Sequence, residues 1–319
     1  MGEVHTGLLQ HSAAVSADFA LRLLTPVPGV RARRVDRPIA YAVSPDTVTG
    51  VDCELPSAGA KVRGVGSIVS RVAITGGHVV QGSAFVRVRR GVAGRRLPWS
   101  HYMAAPGIVE TMAKVDSDQL AAGFLAPAKP LDVLDIGAIG ARAMDMVQSS
   151  PMLDHNILLK SSRTRLRWAI ETLGAGAEPA GAVTGSSPQA PPLSVTFTVR
   201  GDGIRTVLLR AGQIDPSAVA ALCEDLALHD WLLTTLLAHV GQARIGTAPR
   251  SAVVKRLQPT IDYLLHLWMP AARVDAALAD LWLCLDRQPG LTRQWQATVD
   301  RVRDQLALAT VEVLTHARD

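Results

Sequence analysis

The chain has 319 residues, of which 48% are apolar and 19% are charged. This composition excludes an intrinsically disordered chain, and the length suffices for two domains of about 100–200 residues each. Aromatic residues make up only 4%, so we expect a core of Ala, Val, Leu and Ile. No run reaches the roughly 18 apolar residues of a membrane span, and the first residues lack the charged and apolar regions of a secretion signal. The expected location is therefore the cytoplasm.

Positive charge is concentrated in the N-terminal part of the chain. Residues 1–100 contain 13 Lys and Arg against 6 Asp and Glu, whereas the rest of the chain is nearly balanced. Such an excess can attract an anionic partner through long-range electrostatics. The three cysteines, Cys53, Cys223 and Cys284, are far apart and form no CxxC pair, which argues against a disulfide framework and against zinc.

The first two-thirds of the chain mixes strand and helix patterns. A hairpin signal at Thr75–Gly77 joins two alternating apolar runs, and a Gly-, Ala- and Pro-rich stretch over residues 174–192 predicts a flexible loop. In chain order, the patterns predict strands over 3–10, 62–74, 79–89, 131–136, 156–170, 193–199 and 204–210, and helices over 19–24, 108–124 and 138–147. Residues 97–107 are interpreted as a loop or crossover.

The last third is predicted to be helical throughout. Asp215 and Pro216 form a strong helix start, with Asp as N-cap and Pro at the first helical position. Apolar residues then recur three and four apart, and further helices are predicted over 251–257, 260–268, 273–285 and 292–316. The fold class is therefore α+β. We expect a domain over 1–213 with a mixed or antiparallel sheet, followed by an all-α helical bundle over 214–319.

One stretch imitates a cofactor-binding turn. Residues 133–141 (VLDIGAIGA) resemble the strand, acidic residue and Gly-rich turn of S-adenosylmethionine-dependent methyltransferases. Ile139 and Ala141 occupy positions where that pattern requires Gly, because a side chain there obstructs the ligand. We interpret the stretch as an ordinary strand-to-helix connection. Gly64–Ser67 likewise lacks the sequence of a phosphate-binding loop, so no cofactor is predicted.

Two Asp–His pairs are candidate polar sites. Asp225 and His229, and also Asp262 and His266, lie four residues apart on predicted helices, so each pair shares a face. Two such pairs could assemble a carboxylate–imidazole metal site between helices, and they are the residues to test if the protein is an enzyme with an unrecognised site. Local side-chain pairing is the simpler interpretation. Ser100 and His101 are adjacent, so their side chains point apart.

Arginine clusters are the candidate site for a polyanion such as nucleic acid. If they share a face, they can follow a row of phosphates, although few aromatic residues are interleaved for base stacking. The alternative is a solvated or protein-facing surface. The first cluster contains Arg31, Arg33, Arg34 and Arg37, and the second contains Arg87, Arg89, Arg90, Arg95 and Arg96.

Three further stretches resemble an uncharacterised actinobacterial protein family. They are residues 2–9 (GEVHTGLL), 97–102 (LPWSHY) and 222–233 (LCEDLALHDWLL). Members of this family are encoded beside a variant P-loop protein and a methyltransferase-like protein. The resemblance implies no activity and no catalytic residues. It implies instead a working partner in a multi-protein bacterial system.

We therefore expect a non-enzymatic binding or scaffold component that acts through protein–protein contacts, with a P-loop NTPase as a candidate partner. The apolar helical faces of the last third contain Trp231, Trp268, Trp282 and Trp295. Trp is favoured at partner-binding hot spots, but a bundle core explains each of these residues equally well. Binding of a polyanion and an enzyme with an unrecognised site are the alternative hypotheses.

Overall fold

The computed structural model describes residues 1–25, 30–35, 39–59, 61–91, 95–127, 133–157, 159–172, 194–211, 214–245 and 247–316. These residues form a mixed α+β fold with eleven strands and eight α-helices. The predicted loop over 174–192 and Arg37 lie outside the described residues. Among those described, no helix combines the length and the hydrophobicity needed to span a membrane.

The elements follow one another with a sheet-rich first part and a helical last part. The strands are β1 (Gly2–Leu8), β2 (Arg33–Val35), β3 (Tyr41–Val43), β4 (Thr47–Leu55), β5 (Val62–Thr75), β6 (Val79–Phe85), β7 (Arg87–Arg90), β8 (Ile108–Thr111), β9 (Thr164–Thr172), β10 (Ser194–Val199) and β11 (Ile204–Ala211). The helices are α1 (Ala17–Leu23), α2 (Trp99–Met103), α3 (Ser117–Leu125), α4 (Ile136–Gln148), α5 (Pro216–Gln242), α6 (Arg250–Tyr263), α7 (Ala279–Arg287) and α8 (Leu291–His316).

All strands belong to one sheet, whose main path runs β10-β11-β9-β1-β6-β5-β3-β2. Strand β5 is long enough to pair β6 and β3 with its second half, and β8 and β4 with its first half. Strand β8 lies in line with β6 beside β5, and β7 pairs with β8. The pairs β9–β11 and β7–β8 are parallel and the others are antiparallel, so the prediction of a mixed sheet is confirmed.

Helices cover both faces of the sheet. Helix α5 packs on the face formed by Val4, Leu166 and Trp168, and the outer helices α6–α8 join the same hydrophobic core. Helices α1, α3 and α4 cover the opposite face. Helix α5 is therefore buried between the sheet and the outer helices. The boundary at 213/214 between two domains stays a prediction.

Local signals predicted several elements correctly and others wrongly. Asp215 caps α5 and accepts hydrogen bonds from the backbone of Ser217 and Ala218, and Gly76 and Gly77 take the positive φ that the tight turn requires. Residues 108–111, predicted as the start of a helix, form β8, because their apolar residues pair with β5. Pro259 lies inside α6 instead of separating two helices. Residues 156–163 precede β9 and are not part of it.

Candidate functional site

A buried polar network connects helix α5 to the sheet. Glu224, only 3% exposed, accepts two hydrogen bonds from Arg71, at 2.7 Å from Nε and 3.0 Å from Nη2. Ser83 donates a further hydrogen bond to the same carboxylate. Gln81 joins the layers through its side-chain amide, which donates to the Glu224 carbonyl oxygen and to the Thr6 hydroxyl. The guanidinium and hydroxyl donors compensate for the loss of solvation of the Glu224 carboxylate in the core.

The loop after α6 closes over this network. Arg273 donates to the Gln81 side-chain oxygen at 2.7 Å and to the Thr75 hydroxyl. Its guanidinium also lies over the ring of Tyr41, 4.5 Å from the ring centroid, a distance at which a cation is attracted to the aromatic face. Arg273 therefore holds residues 268–273 against the sheet.

Asp225 and His229 lie beside this network and are excluded from solvent. Because a carbonyl oxygen only accepts, His229 donates from Nδ1 to the Asp225 carbonyl oxygen at 2.7 Å. The ring edges of Trp268 and Trp282 surround the imidazole. Burial lowers the pKa of His229 to about 4, so the ring is neutral near pH 7.

Burial also raises the pKa of Asp225 to about 7, against the opposing effect of the Arg273 charge and of the Ala271 and Ala272 amides. Neither Asp225 carboxylate oxygen nor His229 Nε2 has a hydrogen-bond partner of good geometry among the described residues. A carboxyl group that is buried without such partners favours its neutral form. This pair lies in the core, where Asp225 faces the loop that contains Ala271 and Ala272.

The second Asp–His pair lies elsewhere. Asp262 is exposed and accepts hydrogen bonds from Gln258 at 2.8 and 3.0 Å. His266 is exposed, with its ring centroid 6.5 Å from that of His78. No three His, Cys, Asp or Glu side chains of the described part of the chain lie where they could hold one metal ion. The structure therefore does not assemble Asp225, His229, Asp262 and His266 into one metal site.

The methyltransferase-like turn has a packing role on the other face of the sheet. Asp135 caps α4, and a Cβ atom at Gly137 would lie 2.5 Å from the Glu3 carboxylate. Arg165 and Arg167 each donate to that carboxylate at 2.8 Å. Burial tends to raise the pKa of Glu3, but the His5 imidazole, whose Nε2 lies 3.3 Å from the carboxylate, and the charges of the two arginines lower the pKa below its usual range.

A Cβ atom at Gly140, three residues further along α4, would lie 3.3 Å from backbone atoms of β6, and a Cβ atom at Gly82 of β6 would clash with the Gly140 carbonyl oxygen. The glycines of this stretch therefore bring a helix close to a strand and to a carboxylate. The helical part of the predicted strand-to-helix connection is present, but the predicted strand over 131–136 is not: residues 131 and 132 lie outside the described residues, Val133 forms only an isolated bridge, and the helix begins at Ile136.

The Ser100–His101 dipeptide gives no nucleophile–base pair. Both residues lie on the short helix α2, and His101 Nε2 lies 3.1 Å from the carboxylate of Glu110. Arg89 donates to the same Glu110 oxygen at 2.7 Å. The imidazole thus lies beside the ion pair of Arg89 with the buried Glu110, and its contact with Glu110 is one that sequence reasoning missed.

The two arginine clusters lie on different edges of the sheet. Arg33 and Arg34 are on edge strand β2, whereas Arg87, Arg89 and Arg90 are on edge strand β7. Strand β3, next to β2, pairs with residues 73–75 of β5, and β8, next to β7, pairs with residues 64–66. At about 3.3 Å per residue the centres of these two segments are about 30 Å apart along β5. The clusters therefore do not form one continuous track for phosphates.

Several of these arginines are already paired. Arg89 contacts Glu110, Arg34 lies 3.8 Å from Asp18, and Arg96 lies 2.9 Å from Asp52. Arg31 and Arg95 are exposed. Charge on an edge strand also opposes pairing with strands of other molecules, which gives the two clusters a physical role that needs no ligand.

Strand β10 is an edge of a different kind. It pairs with β11 alone among the described residues and carries no charged residue, no proline and no bulge. Val195 and Phe197 pack against the core beneath α7, whereas Val199 at the end of the strand is 58% exposed. Leu283, on the neighbouring helix α7, is 52% exposed. An uncharged edge of β-branched and aromatic residues is a template for a further strand.

Two cavities adjoin the sheet. The larger, about 690 Å³, lies between β7, α3, β9 and the start of α5, and its lining includes Arg87, Arg89 and Asp215. The smaller, about 380 Å³, has His266 and Arg34 in its lining. Among the described residues, neither lining combines an imidazole with a carboxylate.

Comparison with protein families, curated proteins and solved structures found no family model, no protein and no structure that matches this chain.

Proposed function

We propose that this protein is a non-enzymatic binding or scaffold component that acts through protein–protein contacts, and that its docking surface is the edge strand β10. The occupant is an extended, uncharged segment of polypeptide that adds a strand to the sheet. The observation that carries this proposal is the contrast between β10, which has no charge, and the other edge strands, which are charged.

Edge strands with unpaired backbone groups are commonly protected by charge. Strand β2 has Arg33 and Arg34, and β7 has Arg87, Arg89 and Arg90. Strand β4 has Asp52 and Glu54, and an isolated bridge joins Glu54 to Val133. Charged residues thus oppose strand addition at β2, β4 and β7, whereas no charged residue opposes it at β10.

The backbone of β10 is oriented for such a contact. Arg200 donates its backbone N–H to the carbonyl oxygen of Ile204, so this pair is hydrogen-bonded. Because hydrogen-bonded and non-hydrogen-bonded pairs alternate along an antiparallel ladder, the backbone groups of Val195, Phe197 and Val199 point away from β11. Their side chains lie on the α7 side of the sheet, where Leu283 extends the apolar surface.

The tryptophans of the last third of the chain pack within the protein and do not form a docking surface. Trp231, Trp282 and Trp295 are buried, and Trp268 stacks on Trp295 with ring centroids 4.2 Å apart. Partner binding through these side chains is therefore not part of the proposal. The P-loop NTPase suggested by the family resemblance is one candidate for the partner that supplies the strand.

A labelled peptide tests the docking surface directly. A fluorescent peptide with the sequence of residues 194–199, extended by solubilising residues, is titrated with the protein and followed by fluorescence polarisation. Strand addition uses every second amide of the peptide. N-methylation of one alternate set of amides should therefore abolish binding, and N-methylation of the other set should preserve it.

The matched protein variant is Val199→Pro. It removes an N–H that points away from β11, at a position on an edge where proline is tolerated, and it should weaken peptide binding without unfolding the protein. The proposal is wrong if the peptide does not bind, or if both N-methylated peptides bind as well as the parent.

Polyanion binding by the arginine clusters is the second candidate. The observation in its favour is that Arg87 and Arg90 have no acceptor among the described residues. It requires binding of nucleic acid that weakens steeply with salt and that is lost when Arg87 and Arg90 are replaced by Ser.

A further inference from the structure

We infer that the strand that docks on β10 is β10 of a second copy of this chain, related by a two-fold axis through Phe197. This inference rests on the proposed docking surface and names its occupant. A protein that presents one uncharged edge can pair that edge with itself and form a closed, symmetric dimer.

The sequence of the strand is a palindrome. Residues Val195, Thr196, Phe197, Thr198 and Val199 read the same in both directions. When two copies run antiparallel about Phe197, Phe197 faces Phe197, each Val195 faces Val199 and each Thr196 faces Thr198. Aromatic pairs and Thr–Thr pairs are favourable cross-strand neighbours. Each residue from Val195 to Val199 therefore meets a residue of its own type across the axis.

The backbone register agrees with this symmetry. The residues whose N–H and C=O groups point away from β11 are Val195, Phe197 and Val199. The same residues face each other across the axis, because Phe197 meets itself and Val195 meets Val199. Each of these facing pairs can exchange two backbone hydrogen bonds. An axis through Thr196 or Thr198 would instead place groups already bonded to β11 at its centre.

Charge does not oppose the contact. The arginines closest to β10 are each neutralised within their own copy: Arg200 by Asp202, Arg205 by Asp230 and Arg210 by Glu171. These three arginines therefore add no uncompensated charge to a contact between two copies at β10, whereas pairing of β2 with β2 or β7 with β7 would juxtapose arginines.

Apolar side chains exposed in one copy become covered in the dimer. The two-fold axis is perpendicular to the sheet, so both α7 helices lie on the same side of the joined sheets. The exposed side chain of Val199 then packs against Val195 of the second copy, and Leu283 lies at the edge of the contact. Since a single short strand forms its centre, we expect a weak dimer, with Kd on the order of micromolar.

Two double variants test the register. In Thr196→Lys/Thr198→Lys, lysine faces lysine twice across the axis, whereas in Thr196→Lys/Thr198→Glu lysine faces glutamate twice. Both threonines are exposed, so both variants should fold, which circular dichroism verifies. In sedimentation velocity, Kd should be raised about tenfold or more by the first variant relative to the second.

Cysteine cross-linking gives an independent measurement. Thr196 and Thr198 of two copies form a non-hydrogen-bonded pair, whose Cα atoms lie about 4.5 Å apart, within the range that a disulfide spans. In a background with Cys53 and Cys284 replaced by Ser, a mixture of Thr196→Cys and Thr198→Cys chains should form a disulfide-linked dimer under mild oxidation. Neither variant alone should do so.

The outcomes separate this inference from the proposed function. If the protein stays monomeric but binds the β10 peptide, the docking surface stands and the second copy is refuted as its occupant. If neither dimer nor peptide binding is found, both proposals fail. A dimer that both double variants retain equally lies at another surface, and it refutes the inference.

Discussion

The ion pair between Arg71 and Glu224 allows a quantitative test of how α5 is held on the sheet. Glu224→Gln removes the carboxylate charge and leaves the Arg71 guanidinium buried without a counter-charge. Breaking one partner of a buried pair costs about 3–5 kcal/mol. Ser83 and Arg71 each lose a charge-assisted hydrogen bond as well, so we expect the upper half of this range.

The double variant Arg71→Met/Glu224→Leu is the control. It removes both charges and replaces them by apolar groups of similar volume, which is often neutral or stabilising for a buried pair. We therefore expect the double variant to be more stable than Glu224→Gln. Urea unfolding at pH 7, with the free energy of unfolding extrapolated to water, measures both. A loss below about 1 kcal/mol for Glu224→Gln would refute the view that this pair is desolvated and mutually dependent.

Three further predictions concern the core, the pH dependence and the guarded edge. Gly137→Ala should lower the free energy of unfolding, because its Cβ would meet the Glu3 carboxylate. Gly241→Ala, whose Cβ has no atom within 4 Å, should raise the free energy of unfolding by about 0.5–1 kcal/mol. Equal effects of the two substitutions in urea unfolding would contradict the packing argument. Because the pKa of Asp225 is raised, the folded state retains a proton that the unfolded state releases, and this group's contribution to stability falls as the pH rises from about 4 to about 7, by up to about 1.4 kcal/mol per pH unit. Asp225→Asn should remove this contribution, which a comparison of urea unfolding curves of the two proteins across this pH interval measures. Arg87→Thr/Arg90→Thr removes charge from the edge strand β7, so it should increase light scattering by aggregates without changing the free energy of unfolding. Unchanged scattering would show that these arginines do not protect the edge.

Elements with local signals could be predicted from the sequence. The start of α5 at Pro216 follows from a side-chain cap and a fixed proline φ, both contained in two residues. The turn between β5 and β6 follows from two glycines. Residues 108–111 could not be assigned in this way, because their apolar spacing fits a short helix turn as well as a strand, and only the contact with β5 decides between them.

The polar network could not be predicted because its partners are distant in the sequence. Arg71 and Glu224 are separated by more than 150 residues, and no local rule pairs them. A usable signal existed nevertheless: both are charged residues within mostly apolar stretches, and a charge in such a stretch requires a partner if it is buried in the core. The arginine clusters were easy to see, but their positions on opposite edges depend on the strand order.

The stacked indoles of Trp268 and Trp295 offer a built-in optical probe. Trp268 belongs to the segment that Arg273 holds against the sheet, and Trp295 belongs to the long helix α8. Their parallel stacking, with ring centroids 4.2 Å apart and ring planes 7° apart, therefore depends on that segment remaining in place. Two chromophores at this spacing couple their electronic transitions, and the resulting ultraviolet circular dichroism band would disappear on lifting of the segment, long before the backbone signal of the helices is lost.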